Sequence, residues 1–483
     1  NYLGLQYDGI NQGTIDLGAS TTTVALYANS ADVINDTGAI ITMGDSSVGI
    51  YGINNANTST THGGTSAITS GNYTANLVNA GDITIGKNSV GMFGDGEYTD
   101  STGTVQNSGA KGVDNITNAG NIAATSRAQE SVGIYRRGDN NLGSTTISNS
   151  GTIDLSAANG TVGIYGTTTT NATPSTITPV NGAGATRTSA GNYTNAITNT
   201  GTIKVGNTIP ASASATGKEI RAVGIYAQNS TVDNNGGTIE VGTDGIVFAG
   251  DNSDITINGT IVNPDGILAY GTNETTIGYQ LGTAATTSDE PLMYLLNGST
   301  ANMQGQDVNV INNATGVYLS GVGTTTGRSS SFDDFGTMTL GQNSNGIYGT
   351  NGATIITTSS ETITSTNTNA TGIIADDTNV KNGGTINLSG DSSLGIYSAN
   401  SGAGITTVTN TGTGIITLGG QSSTGIYANG TQQTVTNDGT INVGAATSAT
   451  SINLGIYGDA DTIVNNNTIN IDNKGVGIYS TNT

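Results

Sequence analysis

Few residues of this 483-residue chain can do chemistry, and they are scattered. The single histidine, His62, sits in a Gly, Thr and Ser-rich stretch at 58–69. A general base or nucleophile partner needs an orienting group and a cavity, so His62 is expected to be a solvated loop residue. There is no cysteine, which removes disulfides, thiolate metal ligands and thiol nucleophiles together. No Gly-rich phosphate loop with its Lys is present, and no Gly-x-Ser-x-Gly links a strand to a helix. The acid pairs Asp333-Asp334 and Asp376-Asp377 have the side chains that a glycosidase or polysaccharide lyase uses. Neighbours on a strand point to opposite faces, whereas paired catalytic carboxyls must converge on one bond, so both pairs are expected to be turn acids. Asp251-Asn252-Ser253-Asp254 could hold calcium weakly, but its spacing fits neither an EF-hand loop nor a Gly-rich calcium repeat. No catalytic residue, metal ligand or cofactor follows.

Binding candidates stand out better. Acidic residues number 34 and basic ones 12, for a formal net charge of −22, and the longest basic run is Arg136-Arg137. Clustered cations for nucleic acid are missing, and an acidic surface is repelled by anionic headgroups. On such a chain Arg136-Arg137 could receive a carboxylate or a sialic acid bidentately, and Arg187 is a further cation in a long polar stretch. Tyr270, Tyr279 and Tyr294 lie where an otherwise regular pattern lapses.

That pattern is a repeat. Gly-Ile-Tyr recurs at Gly49-Ile50-Tyr51, Gly133-Ile134-Tyr135, Gly163-Ile164-Tyr165, Gly395-Ile396-Tyr397, Gly425-Ile426-Tyr427 and other places. Upstream of most copies stands Asn-x-Gly-Thr-Ile-x-(Val/Leu), as in Asn149 to Leu155 and Asn199 to Val205. In Gly151-Thr152-Ile153-Asp154-Leu155 the aliphatic residues alternate with an acid, and the intervening residue is Lys204 in the next copy and Glu240 in the one after. Period two marks a strand with one face inside. Ile50, Ile134 and their equivalents then face in, with the preceding Gly and following Tyr outside.

The anchor recurs after 22, 24, 30 and 42 residues, a shared minimum with variable excess, which describes a coil carrying insertions. Composition agrees, with 74 Gly, 5 Pro, 4 Phe and no Trp; Gly, Asn and Thr disfavour helix, while Thr, Ile, Val and Tyr suit a pleated surface. The expected fold is all-β, a right-handed parallel β-helix (β-solenoid) running through 1–483. About fifteen coils at ~4.8 Å each would span ~70 Å. Asn and Gly supply the left-handed corners, and stacked Asn can form amide ladders. The Tyr row is either an adhesive stripe or a stack of mutually packed rings.

These motifs together resemble the passenger repeats of the large fusobacterial type V autotransporter adhesins, over nearly the whole chain. The resemblance implies a β-helical passenger secreted through a C-terminal outer-membrane barrel and used to bind a host cell-surface receptor or glycan, or the surface of a partner bacterium. The barrel and targeting segments are expected outside this sequence, so the passenger itself is not membrane-inserted. The competing function is a β-helical carbohydrate-active enzyme. Binding is expected on insertions, first at 270–310, with 167–199 and Arg136-Arg137 as second choices; 52–80 and 94–118 are expected to be further insertions. A consequence of one-dimensional packing can be checked directly. Ile203→Asp should destabilise by about 3 kcal/mol or more, and hydrogen exchange should show protection lost in its own and adjoining coils but retained beyond residue 380, because coupling is nearest-neighbour.

Overall fold

The computed structural model describes residues 9–29, 31–53, 76–95, 98–99, 105–106, 115–137, 145–168, 176–180, 183–189, 195–262, 265–401, 404–430, 432–448, 450–459 and 462–481. Among these, every regular element is a strand apart from turns, as the excess of β-branched residues requires. The chain forms two compact units, Asn1–Thr173 with Gly191–Pro264 and Pro174–Ala190 with Asp265–Thr483.

In the first unit a coil has three strands, exemplified by Thr145–Asn149, Thr152–Leu155 and Val162–Gly166. Each lies parallel to its counterpart one repeat later: Ile147 opposite Ile197, Ile153 opposite Ile203, Ile164 opposite Ile225. This is a parallel β-solenoid, and the in-out alternation falls as the sequence predicts. Ile153, Ile203 and Ile239 are 0% exposed, while the intervening Asp154, Lys204 and Glu240 stack outside in register, with Lys204 Nζ 2.9 Å from Glu240 Oε2. The second unit repeats the plan, with Ile396 and Ile426 in its core.

Two columns fix the corners. The Asn that ends one strand is buried, and its side-chain amide donates to the next: Asn79 Nδ2 to Asn118 Oδ1, Asn118 to Asn149 and Asn149 to Asn199, each at 2.8 Å. The second unit has the same ladder through Asn382, Asn410 and Asn437, also at 2.8 Å. A buried amide left unpaired would cost 1–3 kcal/mol or so; each rung satisfies the one before it.

The second column corrects an expectation. The Gly of Gly-Ile-Tyr is buried rather than outside, as its strands show by burying two consecutive residues. A Cβ on Gly425 would sit 2.5 Å from the carbonyl oxygen of Gly455 and 2.9 Å from Ile441 Cγ2. The strand bends there and strict alternation breaks; a side chain would clash at Gly425, whereas Val247, Leu268 and Leu292 fill the equivalent buried place in coils of the middle of the chain.

Residues 270–310 also differ from expectation, for they do not leave the coil. Tyr270, Tyr294 and Tyr318 are register partners on successive parallel strands, spaced by 24 residues like other short coils. Ala269 and Met293 occupy the inward place that Ile fills elsewhere, so the Gly-Ile-Tyr signature is absent while its geometry persists.

Substitution separates these columns from ordinary turns. Gly425→Ala should destabilise by more than about 1 kcal/mol and lower the melting temperature, whereas Gly412→Ala, where the nearest atom to a Cβ is 3.9 Å away, should leave melting unchanged.

Candidate functional site

The outward Tyr row of the first unit runs through Tyr27, Tyr51, Phe93, Tyr135, Tyr165 and Tyr226. Stacking coils brings the rings together, with centroids 4.8 Å apart and planes at 5° for Phe93 and Tyr135, and 4.5 Å and 10° for Tyr165 and Tyr226. Tyr135 and Tyr165 instead meet edge to face at 84°, and Tyr27 and Tyr51 are tilted at 47°, so the rings pack on one another throughout the row. Burial pushes the Tyr226 hydroxyl up to about 12, with the neighbouring Tyr165 and Asp251 adding to it.

Beside this row, Asp95 and Arg137 end register-paired strands. Arg137 Nε and Nη2 each donate to one Asp95 carboxylate oxygen at 3.0 Å, and the guanidinium carbon lies 5.5 Å from the Phe93 ring centre. Tyr51 donates to Asp95 Oδ2 at 3.2 Å. Burial first, then the Asp95 charge, raises Tyr51 to about 12, against a smaller opposing effect of Arg137.

Arg136 and Arg137 do not form the exposed cationic pair expected. Neighbours on a strand face opposite ways, and Arg136 points inward, 0% exposed. It fills the room left by its register partners Gly94 and Gly166 and donates to Thr145 Oγ1 at 3.1 Å. Arg137 has one edge of its guanidinium already on Asp95. Arg187 lies in strand Ala183–Ser189, antiparallel to Thr176–Val180, with its side chain outside the described residues. His62 is also outside them.

The three Tyr candidates separate in the same way. Tyr270 and Tyr294 are rungs of the second unit's ring ladder, centroids 5.8 Å apart, and Tyr294 donates to Glu290 Oε2 at 2.7 Å. Tyr279 faces inward and is 5% exposed, and burial raises its hydroxyl above the ordinary value.

The structure gathers one acidic constellation that the sequence concealed. Glu361, 1% exposed, closes a corner by accepting the main-chain N–H of Asp334 at 2.6 Å and of Thr358 at 2.5 Å. Burial lifts its carboxyl to about 7, the Thr358 and Asp334 amides oppose this, and the Asp333 charge adds to it. Asp333 is itself raised to about 6, chiefly by burial, with the Ser331 hydroxyl opposing and Asp334 adding. Adjacency in sequence suggested Asp333 with Asp334; coil stacking instead sets Asp333 against an acid 28 residues away. Two acids with raised values could exchange protons with a substrate, yet both Glu361 oxygens are occupied by turn amides and Glu361 is closed to solvent, while Asp333 is partly exposed. Asp377, of the other pair, accepts Ser401 N–H and hydroxyl at 2.9 and 3.1 Å. Among the described residues no group of three His, Asp or Glu side chains could hold a metal ion.

No protein-family model and no curated protein sequence matches this chain.

The acid corner predicts a pH dependence. Folding raises both carboxyl values, so the folded state holds these protons more tightly than the unfolded chain. The stability they contribute is full below the unfolded carboxyl range and is lost as pH rises through about 6 and 7. Protection of the Asp334 and Thr358 amides, corrected for intrinsic exchange, should fall as pH rises from the ordinary carboxyl range, about 4, to about 7 and level off above it. Asp333→Asn should flatten that fall.

Proposed function

We propose that the chain is part of the passenger of a bacterial surface adhesin, a rod that displays binding segments to a host-cell receptor or glycan or to a partner bacterium, anchored by a barrel outside this sequence. One observation carries this reading. The three longest segments that interrupt the coils of the first unit all join the end of a Tyr strand to the start of an Asn strand, namely 54–75, 96–114 and 167–194. The chain departs after Ile53 and Asp95, which are register partners, and after Gly166, which pairs with Arg136; it returns at Asn76 and Asn115, also register partners, and at Asn195, which pairs with Thr145. All three departures thus lie along one edge of the stack, the first two on adjacent strands about 4.8 Å apart and the third two strands further on, while the other corner of the same coils is often a two-residue link, as between Asn149 and Thr152.

Solenoid scaffolds tolerate inserted sequence on one face and use it for binding. The Asn and Gly columns run through these coils, so the inserted sequence can be specified by a partner. Surface anchoring and the bacterial setting rest on the resemblance of the repeats to autotransporter passengers.

Replacing 54–75, 96–114 and 167–194 with short Gly-containing turns tests the assignment. Attachment of beads carrying the chain to host or bacterial cells should fall at least tenfold, with strand amides still protected. Unchanged attachment by a folded triple deletion would refute the location, and turnover of a polysaccharide by the purified chain would favour the carbohydrate-active enzyme instead.

A further inference from the structure

The second unit has an outer face of unusual composition. Its strands Thr337–Leu340, Thr362–Ser365, Thr385–Leu388, Ile415–Leu418, Thr440–Val443 and Thr468–Ile471 stack in parallel, residue on residue. The second and fourth residues of each face inward, and the first and third outward. Of those twelve outward positions eight are Thr, three are Asn and one is Ile415. None is charged, in a chain with 34 acidic and 12 basic residues. The unit's other outward rows do carry charge, with Asp376 and Asp459 beside the Tyr row and Lys381 on the remaining sheet.

We propose that this neutral Thr and Asn face is where two copies of the chain associate. A net charge of −22 makes copies repel, and the repulsion is least where a face contributes no charge. Hydroxyls and amides both donate and accept, so the face is complementary to itself, as a two-fold contact between identical surfaces demands. Period selects the partner further. The outward groups repeat at about 4.8 Å along the stack and about 6.7 Å along each strand, and a second copy presents the same two spacings. Ladder bonds along the stack, Asn442 Nδ2 to Thr417 Oγ1 at 3.2 Å and Asn470 Nδ2 to Asn442 Oδ1 at 2.8 Å, hold the array in shape.

Area sets the strength. Six strands of four residues cover about 29 by 13 Å, or roughly 400 Å² per copy, and the ~800 Å² total falls short of the ~1,200 Å² at which stable pairs begin. Association between two free chains is therefore weak, and it becomes effective where many copies share a surface and bind multivalently. This does not depend on where the chain binds other cells.

Beads coated with the full chain test it. They should cluster with one another, and more so as salt rises, because shortening the screening length from about 10 Å at 0.1 M to about 3 Å at 1 M removes the general repulsion. Thr364→Glu with Thr417→Glu should reduce clustering at least tenfold, while Thr409→Glu with Thr436→Glu, outward on the neighbouring sheet, should change it less than twofold. Beads bearing Thr364→Lys with Thr417→Lys should cluster with the glutamate beads, a rescue that a misfolded variant could not give. Absence of clustering at every salt concentration, equal loss in the control pair, failure of the charge-swapped beads to meet, or clustering only with an added neutral polysaccharide would each overturn the proposal.

Discussion

Strands stacked at about 4.8 Å leave, in most coils, no volume for a side chain where the main chain must bend toward the coil above. The glycines of both motifs mark those bends. A Cβ at Gly151 or Gly201 would lie 2.1 Å from the carbonyl oxygen of the equivalent Gly in the adjoining coil, and one at Gly395 2.4 Å from that of Gly425. With these contacts closed, the aliphatic residues of neighbouring coils meet inside, the Asn amides come within bonding distance, and the rings outside stack. The interior need only be thin, since each coil is covered by the next.

This division explains which features of the sequence were legible. Alternation at Ile153-Asp154-Leu155 reports side-chain direction directly, because the outward residue varies freely in charge while the inward ones stay aliphatic. The Asn rungs were legible because an amide must repeat on every coil to be satisfied. Ring stacking was expected as one of two roles for the Tyr row, and the close, nearly coplanar pairs favour mutual packing over a sugar-facing stripe.

What stayed hidden depends on contacts between coils. Tyr270 and Tyr294 looked like an irregular stretch because Ala269 and Met293 replace the usual Ile, although the 24-residue spacing to Tyr318 was the signal that could have found them. Arg136 reads as a surface cation until its partners Gly94 and Gly166 are seen to leave the inward room for it. Glu361 carries no motif at all; it is recognisable only once its corner is built, where it takes up turn amides beside the end of the Asn ladder, at which Thr357 rather than Asn bonds Asn382.

The inner Asn ladders have a polarity. From Asn11 to Asn234 in one unit, and from Asn382 to Asn465 in the other, every amide donates toward the higher residue number. The side-chain dipoles consequently add head to tail, and bonded amides aligned this way polarise one another. A coil joining from the C-terminal side meets waiting donors, and one joining from the N-terminal side meets waiting acceptors. An inverted coil would set like against like, so the ladder acts as a one-way zip that checks the orientation of each turn as it is laid down.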